Sequence, residues 1–154
     1  MADIVSPALR SKMMAGIRNK NTKPELIIRS GLHSRGFRFR LRSSGMPGKP
    51  DLVFPKYKAV IFVNGCFWHG HDCHLFRLPS TATDFWSEKI SKNRTRDEKN
   101  RNQLQQTGWR TMTIWECALK GKNRLPHDGL MEEISKWLHS TSINLEIQGV
   151  EHDK

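Results

Sequence analysis

The sequence predicts an α/β fold, one mixed sheet flanked by helices, and three observations carry that prediction. Ala59-Val60-Ile61-Phe62-Val63 is apolar at every position, as a strand covered on both faces of a sheet must be. Segments of helical and of period-two patterning follow one another in the order helix, helix, strand, strand, strand, helix, strand, helix, which describes an α/β layer sandwich. At 154 residues the chain suits a single domain large enough to bury a core. That domain is expected over residues 1–140, with 141–154 as a polar, loosely attached tail.

Each element has a local reason. Ser6-Pro7 is a helix-start signal, and the helix it opens, about residues 6–18, mixes Lys and Arg with Leu9, Met13 and Met14. Thr22-Lys23-Pro24-Glu25 is a capping box with Pro in the first turn, opening a second helix through Ile28 and Leu32 that ends near Gly36. Phe37 to Leu41 alternates apolar with basic, as a half-exposed strand does. A loop rich in Ser, Gly and Pro delivers Pro50-Asp51 into the short strand Leu52-Val53-Phe54, and a turn at residues 55–58 leads to the buried strand 59–63. Asp84 to Gln106 is a charged helix whose face carries Trp86, Ile90, Asn93 and Asp97, with Lys89 at its edge. Trp109 to Trp115 reads as a further strand with Cys117 just beyond it. Gly129 to His139 reads as a last helix with Leu130, Ile134, Trp137 and Leu138 on its apolar face.

Lys and Arg total 26 against 15 Asp and Glu, a net charge of +11, which favours a polyanionic partner such as nucleic acid. No apolar run approaches the ~20 residues of a membrane span, and the N-terminus lacks a signal-peptide pattern, so a cytoplasmic protein with no membrane partner is expected. Three cysteines, an odd number in a reducing compartment, point to metal ligation and away from disulfides.

Asn64 to His74 packs two thiols, three imidazoles and the pair Phe67-Trp68 into eleven positions. Cys66, His71 and Cys73 are spaced to wrap one ion, and a structural zinc site takes four N or S ligands. His69, His74 and Cys117 are candidates for the fourth. Cys117 is favoured, because it ends a strand that can lie beside the one ending at Asn64. Asp51, entering a strand beside residues 59–63, is either a turn residue or a carboxylate for Mg²⁺, and His69 is the candidate base if zinc does not take it. Phe67, Trp68 and Trp86 either form a small core around the metal or project from a cationic surface to stack on bases.

Gly65-Cys66-Phe67-Trp68-His69, His71-Asp72-Cys73, Phe85-Trp86-Ser87-Glu88-Lys89-Ile90 with Asn93, and Gly108-Trp109-Arg110 leading into Trp115-Glu116-Cys117 together resemble the very-short-patch repair (Vsr) mismatch endonucleases of bacteria, in one register from about residue 8 to 140. The resemblance implies a restriction-endonuclease-like, PD-(D/E)XK-type fold with a structural zinc site. It implies a strand-specific nick 5′ of the thymine in a T:G mismatch arising from deaminated 5-methylcytosine. Double-stranded DNA with that mismatch would be the partner of a monomeric, nucleoid-associated protein, with mismatch-repair proteins as further associates. It implies Asp51 and the Val63 main-chain carbonyl as Mg²⁺ ligands, His69 as general base, Glu25 as an active-site acid, and Cys66, His71, Cys73 and Cys117 as zinc ligands. Phe67, Trp68, Trp86 and Met14 correspond to side chains that enter the DNA stack, and Lys89 and Asn93 to DNA contacts.

Well-known members of that family carry His where this chain has Asn64 and Thr where it has Val63. A main-chain carbonyl is supplied by any residue, so Val63 changes little. An amide at Asn64 orients water or phosphate but carries no proton as imidazolium does, so altered activity is expected there. A non-catalytic, zinc-stabilised mismatch-binding module is the alternative reading, and a restriction endonuclease cutting intact duplex is a third.

Overall fold

The computed structural model describes residues 22–41 and 45–150. The N-terminal helix expected at 6–18, and Met14 with it, lie outside the described residues. Thr22 caps helix α1 (Lys23–Ser34): its hydroxyl accepts the Glu25 amide at 3.4 Å, and Pro24 stands in the first turn, where its missing N–H costs nothing.

Among the described residues, five strands form one sheet in the order of the chain: β1 (Arg40–Leu41), β2 (Leu52–Phe54), β3 (Ala59–Asn64), β4 (Arg110–Trp115) and β5 (Asn144–Ile147). β1, β2 and β3 pair antiparallel, whereas β3, β4 and β5 run parallel, with Asn64 opposite Trp115 at the end of the central pair. The parallel pairs are joined by helical crossovers, α2 (Thr83–Gln106) between β3 and β4 and α3 (His127–Leu138) between β4 and β5.

β3 is covered on both faces at Ala59, Val60 and Ile61, whereas Phe62 and Val63, expected to be buried as well, are only half-buried toward the end of the strand. Ala59 and Ile61 belong to the main core with Ile28 and Leu32 of α1 and Ile134 and Leu138 of α3. Val60 turns the other way, against Leu104 of α2. β4 alternates likewise. Met112 and Ile114 join the main core, and Thr111 on the opposite face accepts the Gln105 side-chain amide at 2.9 Å. Arg110 ties sheet to helix by donating to the Trp137 and Leu138 carbonyls at the end of α3 and to the Tyr57 carbonyl, with burial lowering its pKa.

Two expectations need correction. The alternating segment 37–41 pairs only at Arg40 and Leu41, because its partner β2 is three residues long and its register begins at Leu52. Phe37 instead packs edge-on to Phe54 in the core. The tail expected at 141–154 is not loosely attached over residues 144–147: that segment adds β5 to the sheet and buries Ile147. Its outward residues Asn144 and Glu146 are polar and exposed, so composition concealed a strand whose pairing is supplied by the open edge of β4.

Candidate active-site cleft and metal centre

The loop after β3 folds back on itself in one tight turn, with the His71 amide bonding the Cys66 carbonyl at 2.9 Å and the Gly70 amide the Phe67 carbonyl at 3.2 Å. Gly70 is required there. Its φ is +63°, and a Cβ would stand 2.6 Å from Ile90 Cγ2 of α2, so the loop can lie directly against the helix only without a side chain. The Glu116 carboxylate accepts the Cys66 amide at 3.2 Å and fastens the start of the loop to the end of β4.

This fold-back gathers Cys66, His71, Cys73 and Cys117, whose ligand atoms all lie within 4.8 Å of one another, the group among the described residues able to hold a metal ion. His71 Nδ1 is 3.5 Å from Cys66 Sγ and 3.6 Å from Cys117 Sγ, close to the ~3.6 Å edge of a tetrahedron built on the usual metal–sulfur and metal–nitrogen bond lengths. Of the three candidates for fourth ligand, Cys117 joins the group. His74 bonds Asn123, and His69 turns to Asp97. Cys117, the acceptor of a hydrogen bond from Cys66, has its thiol pKa pulled down to about 5. The same bond, and then burial, push Cys66 far up, and burial also raises Cys73. The protein alone thus favours one thiolate and resists the second and third, an imbalance that a divalent cation removes.

On the other side of the loop lies a cleft of about 1160 Å³ whose floor includes Asp51, Val63 and Asn64, with Glu25, His69 and Asp97 also on its walls. Asp51 Oδ2 accepts the Val63 amide at 2.7 Å, which pins the carboxylate to the end of β3. Glu25, only 3% exposed, pairs with Arg29 at 3.0 Å, so it serves the helix N-terminus and the cleft together. His69 Nδ1 bonds the Asp97 carboxylate. A carboxylate only accepts, so Nδ1 carries the hydrogen, and in the neutral ring the lone pair is on Nε2. The sequence places Asp97 on a helix face and gives it no further role. Its pairing with a residue 28 positions away had no local signal.

Phe67, Trp68 and Trp86 are half-buried and pack edge-to-face, with ring centroids 5.2 to 5.6 Å apart, and all three line the cleft. Asn93 is buried: its amide donates to the Trp68 carbonyl at 2.9 Å and accepts from Arg96. Lys89 lies half-buried on the same helix and is not part of the cleft lining. Lys23, Lys49, Arg96 and Arg101 add positive charge around the opening. No helix among the described residues is long and apolar enough to cross a membrane.

Comparison with known proteins agrees with this geometry. The family model described as DNA mismatch endonuclease Vsr matches residues 2–75. The DNA mismatch endonuclease Vsr of Escherichia coli is 42% identical over 152 residues, covering 97% of each chain. The type II nicking enzyme V.XorIIP of Xanthomonas oryzae is 49% identical over 77% of this chain and 88% of its own. V.NmeAIP of Neisseria meningitidis, also a type II nicking enzyme, is 47% identical over 79% and 87%. Identity at this level along nearly the whole length, on a mixed sheet that brings the Cys/His group and the acid-lined cleft together, shows that the chain belongs to the Vsr family of DNA mismatch endonucleases.

Proposed function

We propose that the chain is a Mg²⁺-dependent, zinc-braced endonuclease that nicks one strand of duplex DNA on the 5′ side of the thymine in a T:G mismatch left by deamination of 5-methylcytosine. The observation that carries this reading is the His69–Asp97 pair, which shares its cleft with Asp51 and Glu25. The mismatch-endonuclease and nicking activities that name the relatives support it.

The roles follow from the chemistry of each group. The Asp51 carboxylate and the Val63 main-chain carbonyl are hard oxygen donors of the kind Mg²⁺ selects; the bound ion would polarise the phosphodiester and acidify water. His69 Nε2 accepts the proton of the attacking water while Asp97 holds the ring in the required tautomer. Glu25 adds negative charge to the same wall. Three thiolates and an imidazole are a set that zinc takes, closed and therefore structural, so that ion braces the loop carrying His69. Phe67, Trp68 and Trp86 stack beside the mismatch, with Met14 entering from the opposite groove. Lys89 supplies a phosphate contact. Asn93 retains one amide hydrogen and one lone pair beyond those given to Trp68 and Arg96. A mismatch is asymmetric, which suits a monomer.

The test is a nicking assay with Mg²⁺ on end-labelled T:G duplexes in several flanking sequences. Wild type is expected to cut one strand, and Asp51→Ala to cut at least ~10³-fold more slowly while still binding. Equal cutting by the two proteins in every context would sink the reading. Tight T:G binding with no cleavage would support a binding module instead, and cleavage of the matched control duplex a restriction enzyme.

A further inference from the structure

The segment that closes the sheet does not end at the sheet. After β5, three consecutive residues run past the Cys/His group and each bonds its surroundings. Gln148 Oε1 lies 2.8 Å from His71 Nε2. The Gly149 amide donates to Cys117 Sγ at 3.2 Å. The Val150 amide donates to the Asn123 carbonyl at 2.8 Å. Within β5, Glu146 accepts the Trp115 indole N–H at 2.9 Å, and that indole is stacked on His71 with centroids 4.2 Å apart and planes within 10°.

Gly149 passes where no other residue fits. A Cβ there would lie 2.5 Å from the Cys117 carbonyl oxygen and 2.6 Å from that of Asn123, both backbone atoms without freedom to move aside. The absence of a side chain is therefore what lets the amide reach the sulfur.

We propose that Gln148 and Gly149 are the outer clamp of the metal centre, positioning residues that couple docking of the C-terminal segment to metal retention. The inference rests on the zinc reading above. A carboxamide oxygen on Nε2 takes that nitrogen's hydrogen, fixes the tautomer, and leaves the Nδ1 lone pair facing the two sulfurs. The Gly149 N–H places positive dipole on Cys117, the ligand contributed from beyond β4, where three thiolates around one divalent ion leave net negative charge. Because Phe67, Trp68 and His69 lie between Cys66 and His71, the clamp also sets the loop that faces the cleft.

The test uses the full-length protein purified with zinc, its metal content measured, and the half-time of zinc release to excess 4-(2-pyridylazo)resorcinol recorded. Gln148 is exposed, so Gln148→Leu removes the acceptor without opening the core. Zinc release is expected to be at least about tenfold faster in Gln148→Leu and in Gly149→Ala. Gln148→Glu keeps an acceptor on Nε2 and is expected to release at the wild-type rate or more slowly, a rescue that a merely structural surface residue would not show. Zinc-loaded wild type with all three variants at its own release rate overturns this inference alone. Wild type that holds no stoichiometric zinc overturns the metal reading and the clamp with it.

Discussion

Two sites share the loop from Asn64 to His74, and they are built on opposite principles. The Cys/His corner is closed: four ligands from the loop and from the end of β4 meet within 4.8 Å, and backbone amides and Gln148 bond them from outside. The cleft is open, and the Val63 amide holds Asp51 there while Asp97 holds His69. A corner built that way can hold geometry but has no room for substrate. The proposed function accordingly puts bracing on one face of the loop and chemistry on the other.

The most severe way to break this division is to remove the brace. Stripping the metal with a strong chelator, or replacing Cys117 by Ala, is expected to lower Tm markedly and to abolish nicking, since structural zinc contributes ~10 kcal/mol or more of apparent folding free energy in small domains. Added zinc should restore the stripped wild type, and Mg²⁺ alone should not. Thermal melts and nicking rates measured in parallel check this; full nicking by metal-stripped protein would show that the two faces are independent.

Next in size is the tie that orients the proposed base, His69. Asp97→Asn keeps the shape of the side chain but lets an amide N–H meet Nδ1, which favours the tautomer with hydrogen on Nε2. Single-turnover cleavage is expected to fall about 10²- to 10³-fold with little change in mismatch affinity or Tm. A drop in affinity with an unchanged rate would move Asp97 from the chemistry to the DNA-binding surface.

Trp68→Ala tests the residues that face both ways. Its ring packs on Phe67 and Trp86, and its carbonyl is held by Asn93. If the ring stacks on a base, truncation should weaken T:G binding by about 1–3 kcal/mol, roughly 10- to 100-fold in Kd by titration. If it only fills space beside the metal corner, the loss will appear in Tm.

What could be read in advance depended on how far apart the cooperating residues lie. The N-cap at Thr22, the strand at 59–63 and the spacing of Cys66, His71 and Cys73 are local patterns, and each forms as its own residues dictate. Cys117 was reachable only by supposing that two strands end side by side, which the parallel pairing of Asn64 with Trp115 provides. β5 was hidden because a four-residue edge strand with two polar outward positions looks like tail until a partner edge is known. Asp97 and Gln148 lay beyond reach for the same reason: each acts on an imidazole 28 or 77 positions away, and only the packing of α2 and β5 brings them there.

The smallest expected effect concerns Asn64. It ends β3 opposite Trp115, lines the cleft and is 7% exposed, and its side-chain amide makes no hydrogen bond among the described residues. Lining the cleft, that amide is placed to bond substrate phosphate or its water. Such a group can orient but cannot exchange a proton, so in the proposed mechanism proton transfer falls to His69. Asn64→His should therefore change the single-turnover rate by less than about tenfold while adding a second ionisation to its pH dependence. General acid–base catalysis is worth about 10²- to 10⁴-fold. A gain of that size in Asn64→His would mean that the wild-type cleft lacks a working proton-transfer partner, and that the open face of the loop is less complete than the closed one.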